Sequence, residues 1–207
     1  MVPIPKYKSW QDFKSKTDPL PNKQKGDCFE AFTKYCLEIH PNYKTQLKKV
    51  WLLKNVPTKV NKYLNLPKPD RGIDLIAETK EGKFWAIQCK YKSDEKTSVT
   101  LKELSTFTTL AFVQCKNIEL GLVCTNAEKR SPNLKDYEGK LQFCAGEFWN
   151  SLDKEFFNIF YQRIKGKVVL PKAKKPRKHQ QRAIKNAYQH FVKERNSRGK
   201  LIMPCGA

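Results

Sequence analysis

The sequence predicts an α/β fold, a mixed sheet sandwiched between helices. Three observations predict it. Residues 73–79 and 84–91 are rich in strand formers and flank the turn Glu81-Gly82-Lys83, so they read as a hairpin. Segments 27–39 and 101–112 carry apolar residues at helical spacing. Residues 118–124 (IELGLVC) are the short apolar run expected of a buried parallel strand. The order helix, strands, helix, strand, helix is that of an α/β sandwich.

Taken in order, residues 9–16 suit a short helix that the Asp18-Pro19-Leu20-Pro21 breaker ends. A firmer helix begins near Asp27 and runs to Ile39, where His40-Pro41 stops it. Its stripe of Phe29, Phe32, Cys36 and Ile39 should pack on the sheet. Asp27, with Glu30 three residues on, has the form of a capping box. Residues 47–53 (LKKVWLL) form a candidate strand, and 58–66 a short helix closed by Pro67 and Pro69. Asp70, in the loop before Gly72, reads as a turn former.

After the hairpin, 93–97 is a polar loop, and Leu101, Leu104, Phe107 and Ala111 mark the next helix. Gln114-Cys115-Lys116 repeats the tripeptide Gln88-Cys89-Lys90, but it follows a helix and reads as the turn into 118–124, which Thr125-Asn126 closes. Residues 129–140 form a basic loop, and 148–164 one aromatic-rich amphipathic helix. Around Val168 the composition shifts. Residues 170–178 (LPKAKKPRK) form a linker with two readings, a solvated spacer or a segment contacting a phosphate backbone. A helix follows over 179–194, with Ala183, Ile184, Ala187, Tyr188 and Phe191 on its apolar face.

Charge narrows the function. Among 207 residues, 41 Lys and Arg face 20 Asp and Glu, a formal net charge of +21, which suits a partner with a phosphate backbone but by itself does not separate a nuclease from a ribosomal or membrane-surface protein. The 39% hydrophobic content excludes a wholly disordered chain. No apolar run could span a bilayer, and the N-terminus lacks the apolar core of a signal peptide. The seven cysteines include no CxxC pair, which excludes a zinc ribbon; an odd number without a secretion signal points to reduced thiols in a cytoplasm, serving as small core hydrophobes.

Strand side chains alternate between faces, so Gln88 and Lys90 share one face while Trp85, Ile87, Cys89 and Tyr91 take the other. Folding about Gly82 sets Asp74 opposite residues 88–90. An acid, an amide and an amine then converge on one side of a sheet whose other side is apolar, a setting for a hard cation beside a phosphate. On pattern alone the same residues also suit the wet face of a hairpin.

Gly72-Ile73-Asp74-Leu75 followed by Ala86-Ile87-Gln88-Cys89-Lys90 resembles the core motif of the Mrr-like branch of the PD-(D/E)xK nucleases, in which glutamine replaces the usual second acid. Gly26-x-x-Phe29-Glu30 resembles the first-helix motif of that branch. The resemblance spans about residues 24–125 and implies a restriction-endonuclease-like mixed sheet flanked by helices. It implies Asp74 as the main ligand of Mg²⁺ or Mn²⁺, with the Cys89 backbone carbonyl, and Gln88 ligating or orienting a water. It sets Lys90 beside the attacking water, to position it, lower its pKa or stabilise developing charge. Glu30 would bind metal through water or help a second ion, a reading that stands beside its capping role. Glutamine is a weaker metal ligand than an acid, which suggests stimulation by the rest of the protein.

Pro176-Arg177-Lys178-His179-Gln180-Gln181-x-Ala183-Ile184, a helix, and then Met203-Pro204-Cys205-Gly206 resemble the start of a superfamily 2 helicase motor. That resemblance implies that Gln180 reads adenine and that Met203 to Gly206, Gly206 included, open the phosphate loop. The later Gly-Lys-Ser/Thr does not follow, so the expectation is the N-terminal part of a longer protein, cut inside the motif and unable to hydrolyse ATP by itself. The expected organisation is a nuclease domain over 1–165, a basic linker over 166–178 and a truncated motor start over 179–207.

An Mrr-like nuclease joined to such a motor resembles the single-chain Type ISP restriction enzymes. That likeness implies an Mg²⁺-dependent endonuclease acting on double-stranded DNA, with ATP used only by the longer parent. Motor, methyltransferase and target-recognition domains would follow in the same polypeptide, and dimerisation for double-strand cleavage is left open. Expected DNA contacts are Lys92 and, in the linker, Lys172, Lys174, Lys175, Arg177 and Lys178. The alternative is a non-cleaving DNA-binding clamp of a helicase, against which the joint retention of Asp74, Gln88 and Lys90 argues. A helicase accessory domain acting on RNA ranks last, since no aromatic-rich RNA-reading motif occurs.

Overall fold

The computed structural model describes residues 5–67, 72–128, 139–167 and 177–200. The chain divides into two units, Met1–Val169 and Leu170–Ala207. The first is built on a five-stranded sheet in the order β1 (Leu47–Leu52), β2 (Leu75–Thr79), β3 (Phe84–Lys90), β4 (Ile118–Thr125) and β5 (Leu141–Cys144). β1, β2 and β3 run antiparallel as a meander, whereas β3, β4 and β5 are parallel. The hairpin reverses at Gly82, whose φ of +79° suits a residue without Cβ. Parallel pairing needs a crossover, and α5 (Leu101–Thr109), capped by Thr100, carries the chain from β3 to β4.

The expected α/β fold with a mixed sheet is the observed one, with several boundaries corrected. α1 (Trp10–Thr17) starts where Ser9 caps the Asp12 amide. α2 (Asn22–Ile39) begins five residues before Asp27, directly after Pro21, so Asp27 lies inside the helix and the Asp27–Glu30 capping box does not form. α2 stops at His40-Pro41 as expected, and Pro41 then opens the single turn α3 (Pro41–Lys44). α4 (Thr58–Leu64) ends two residues early, at left-handed Asn65. β5, which no sequence pattern marked, adds a fifth strand. The helix expected over 148–164 is two, α6 (Gly146–Asn150) and α7 (Lys154–Ile164), because Asp153 caps α7 by accepting from the Phe156 amide. Gln114-Cys115-Lys116 is the connection into β4, as expected.

Both faces of the sheet are covered, as the expected sandwich requires. α1, α2, α6 and α7 close one face with an aromatic cluster that includes Trp10, Phe13, Phe32, Trp149 and Phe160. Phe13 and Phe32 lie 4.6 Å apart, and Trp10 stacks on Trp149 at 5.6 Å. Trp85 and Ile87 of β3 point into this layer. Ala86 and Phe84 point into the other, with Ile73, Leu104, Phe107 and Val123. Cys89, Cys124 and Cys144 stand in register across β3, β4 and β5, and among the described residues no cysteine forms a disulfide. Burial raises the pKa of these thiols, so they act as core groups.

The second unit contains α8 (Lys178–Tyr188), continued by a π-helical turn Gln189–Lys193, with Ile184, Tyr188, Phe191 and Val192 exposed. No helix among the described residues is long and apolar enough to cross a membrane.

Candidate active site

The end of β3 gathers the polar residues. Asp74 precedes β2, and its backbone N–H donates to the Ile87 carbonyl at 2.9 Å, which fixes it against β3. Its carboxylate accepts a 2.6 Å hydrogen bond from the Cys89 amide. Asp74 therefore sits beside residues 88–90, as hairpin register requires. Glu30 approaches from α2. The Cys89 thiol is held well above its ordinary pKa, first by burial, then by the Cys124 thiol and by the Asp74 and Glu30 carboxylates. Those two acids thus share the electrostatic surroundings of one residue.

Gln88 lies on the opposite face from Cys89 and is only 4% exposed. Its Oε1 is buried and accepts no hydrogen bond. An orphaned acceptor is costly, roughly 1–3 kcal/mol, and native structures retain few of them. Its amide nitrogen lies near Gly72. A Cβ at Gly72 would stand 3.6 Å from Gln88 Nε2 and 3.4 Å from the Phe107 backbone nitrogen, and φ there is +115°. The glycine of the Gly-Ile-Asp stretch is thus required by its backbone conformation, while a Cβ there would make only ordinary van der Waals contacts. Lys90, the last residue of β3, is half-buried and pairs with Thr125 of β4.

These donors are oxygens: a carboxylate at Asp74, an orphaned carboxamide at Gln88 and a backbone carbonyl at Cys89. Hard oxygen donors suit Mg²⁺ or Mn²⁺, and the unsatisfied Gln88 Oε1 is the group that such an ion or its water would satisfy. Among the described residues, no three His, Cys, Asp or Glu side chains form a cluster able to hold a metal. The fit therefore relies on the amide and the backbone.

Beyond Lys90 the chain is pinned. Asn126, 1% exposed, accepts from the Lys92 amide at 2.6 Å and donates to the Lys92 carbonyl at 2.7 Å. The Lys92 ammonium is hydrogen-bonded to Glu103, which also caps α5 through Thr100. The expected DNA contact at Lys92 thus has an acidic partner within the protein. Tyr91 donates to Asp18 at 2.6 Å, and Lys14 pairs with Glu95 at 2.9 Å, so α1 walls an open cavity of about 440 Å³ next to Lys92 and Asn126.

The structure thus gathers Asp74, Gln88, Cys89 and Lys90 at one strand end, with Glu30 in electrostatic range. Arg177 and Lys178 stand at the start of α8, where the Arg177 amide donates to Gln180 Oε1, giving Gln180 a local capping contact. Asp70, Lys172, Lys174, Lys175 and Gly206 lie outside the described residues. Asn126 escaped sequence reading, because its partner is a backbone 34 residues away.

Residues 38–142, just over half of the chain, match the Mrr_cat_2 restriction endonuclease family. No curated protein matches the chain. Among solved structures, the chain resembles an ATP-dependent Type ISP restriction-modification enzyme, LlaBIII, bound to DNA. The identity is 28%, the TM-score 0.64, and the match covers 94% of this chain but 12% of that one. It also matches the MspJI restriction endonuclease in complex with a 27-mer oligonucleotide, at 10% identity and a TM-score of 0.45, over 84% of this chain and 38% of that one. A repair endonuclease from Pyrococcus abyssi matches at 15% identity and a TM-score of 0.35, over 56% and 46% respectively.

Proposed function

The chain belongs to the restriction endonuclease family, and from that premise we propose that it is a metal-dependent DNA endonuclease domain whose active site is the end of β3. The observation that carries this reading is the buried, unpaired Oε1 of Gln88 on the same strand end as Asp74 and Lys90. Asp74, Gln88 Oε1 and the Cys89 carbonyl would hold Mg²⁺ or Mn²⁺. When bound, the ion supplies neutralisation of the scissile phosphate and a more acidic water.

The protein's own residues do the rest. Asp74 is already oriented by the Cys89 amide, so its carboxylate needs little rearrangement to act. Lys90, the last residue of β3, would orient the attacking water and offset charge gathering on the phosphoryl oxygens. Glu30, from the roof formed by α2, accepts hydrogen bonds from water in the same site. In the reaction a water oxygen bonds to phosphorus, one P–O ester bond breaks, and the leaving oxygen ends protonated.

The chain spans 12% of the length of the Type ISP enzyme it resembles. We therefore assign it the nuclease role within a longer ATP-driven restriction enzyme, with motor, methyltransferase and target-recognition domains as partners in the same polypeptide and double-stranded DNA as substrate.

Incubation of supercoiled plasmid with the chain, with Mg²⁺, with Mn²⁺ or with EDTA, tests the reading. Metal-dependent nicking or linearisation is expected. Binding that retards the plasmid without breaking a strand, for the chain and for the parent protein with ATP, would replace this reading with that of a DNA clamp.

A further inference from the structure

We infer that Asn126 is a positioning residue for Lys90, acting as a side-chain extension of the β3–β4 ladder. The inference rests on the nuclease reading for its consequence and on geometry alone for its mechanism.

The parallel ladder of β3 and β4 ends at the pair Lys90 and Thr125. Beyond it the two strands part, and the backbone of Lys92 would be left without a strand partner. Asn126 supplies both missing bonds. Its Oδ1 accepts from the Lys92 N–H at 2.6 Å, and its Nδ2 donates to the Lys92 carbonyl at 2.7 Å. A carboxamide carries one acceptor and two donors, so it can answer both backbone groups of one residue as another strand would. No apolar or purely acidic side chain can do so.

Asn126 is itself fixed. It is 1% exposed, and its neighbour Thr125 is tied by the Trp149 indole N–H, which donates to the Thr125 carbonyl at 2.8 Å. Thr125 Oγ1 accepts from the Ala127 amide at 3.1 Å. Gly146 closes the other side: a Cβ there would stand 2.8 Å from the Asn126 carbonyl oxygen. The clamp is therefore anchored in the core rather than in the loop it grips.

Lys90, the last residue of β3, thus lies between two grips on the backbone. Upstream, the Asp74 carboxylate holds the Cys89 amide at 2.6 Å, and downstream Asn126 holds Lys92. Both hold the backbone, so the Lys90 Cα is fixed without either grip engaging its side chain. A displacement of about 1 Å in a reacting group can cost about 100-fold in rate. Loss of the downstream grip should therefore appear mainly in kcat, because the Lys92 ammonium stays paired with Glu103 and is not released to the DNA.

The test compares the wild-type chain with Asn126→Ala and with Asn126→Asp, which keeps the acceptor for the Lys92 N–H but cannot donate to its carbonyl. Plasmid cleavage with Mg²⁺ or Mn²⁺ and amide hydrogen exchange over residues 88–93 are both read. Asn126→Ala is expected to lower kcat roughly 10- to 100-fold at nearly constant KM, and to speed exchange at Lys92 while Leu122 and Cys124 stay protected. Asn126→Asp should fall between, and serves if the alanine variant does not fold. In a Lys90→Ala background, Asn126→Ala should add little further loss, because both act through one group. Exchange at Lys92 that is unchanged in both variants overturns the clamp whatever the cleavage assay gives. Full additivity with Lys90→Ala, or a pure KM effect, overturns the positioning role. A wild-type chain that shows the exchange pattern but cuts no DNA defeats the nuclease reading, and the catalytic half of this inference with it, while the clamp stands.

Discussion

Replacing Gln88 with leucine should stabilise the protein while destroying its metal response. Gln88 is 4% exposed, and its Oε1 has no hydrogen-bond partner. A buried acceptor left unmade costs about 1–3 kcal/mol. Leucine removes the carboxamide at comparable bulk, and the face that receives it already holds Phe107 and Val123. We expect a gain of about 1–2 kcal/mol, which for a chain of this size corresponds to roughly 2–8 °C in Tm. The assay is thermal unfolding followed by circular dichroism, without and with Mn²⁺. Ligand at 100 times its Kd should stabilise the wild type by about 2.7 kcal/mol. Gln88→Leu should show a higher Tm without metal and a much smaller metal-induced rise. A lower Tm in the metal-free variant would refute the reasoning, because it would mean that the carboxamide is already satisfied.

Other outcomes follow from neighbouring contacts. Trp149→Phe removes the indole N–H bonded to the Thr125 carbonyl and shrinks a fully buried ring; a loss of about 2–3 kcal/mol is expected in urea denaturation. Burial raises the Glu103 carboxyl, but hydrogen bonds from Lys92 and Thr100 outweigh it and leave the pKa below the ordinary value. A depressed folded pKa stabilises at neutral pH and loses its effect as pH falls through that value. The stability difference between wild type and Glu103→Gln should accordingly be greatest near neutrality and vanish in acid. For the linker, replacing Lys172, Lys174 and Lys175 with alanine should flatten the dependence of log DNA affinity on log salt by roughly 0.9 per lysine if each neutralises a phosphate; an unchanged slope would make 170–178 a spacer.

How much was legible in the sequence depends on the range of the forces involved. Alternation along β3 foretold that Gln88 and Lys90 would part from Trp85, Ile87 and Cys89, and the tight turn at Gly82 foretold that Asp74 would face them, because both follow from local geometry. The start of α2 was misread because Asp27 mimics a cap, whereas Pro21 ends the preceding loop and lets the helix begin at Asn22. β5 is four residues long and owes its conformation to pairing with β4. The break between α6 and α7 turns on one aspartate, Asp153, inside an otherwise continuous apolar pattern. The polar environment of the site was the least legible part. That Gln88 would be buried without a partner, and that Asn126 would grip Lys92, depends on how separate elements dock.

The central claim is that the end of β3 cuts DNA with the help of a metal ion. Cleavage of supercoiled plasmid by wild type, Asp74→Ala and Lys90→Ala, with folding of each checked by near-ultraviolet circular dichroism, tests it most directly. The wild type should break strands in the presence of Mg²⁺ or Mn²⁺, and both folded variants should lose that activity by at least roughly 100-fold. Folded variants that cut as fast as the wild type would contradict it and move the active site elsewhere on the chain.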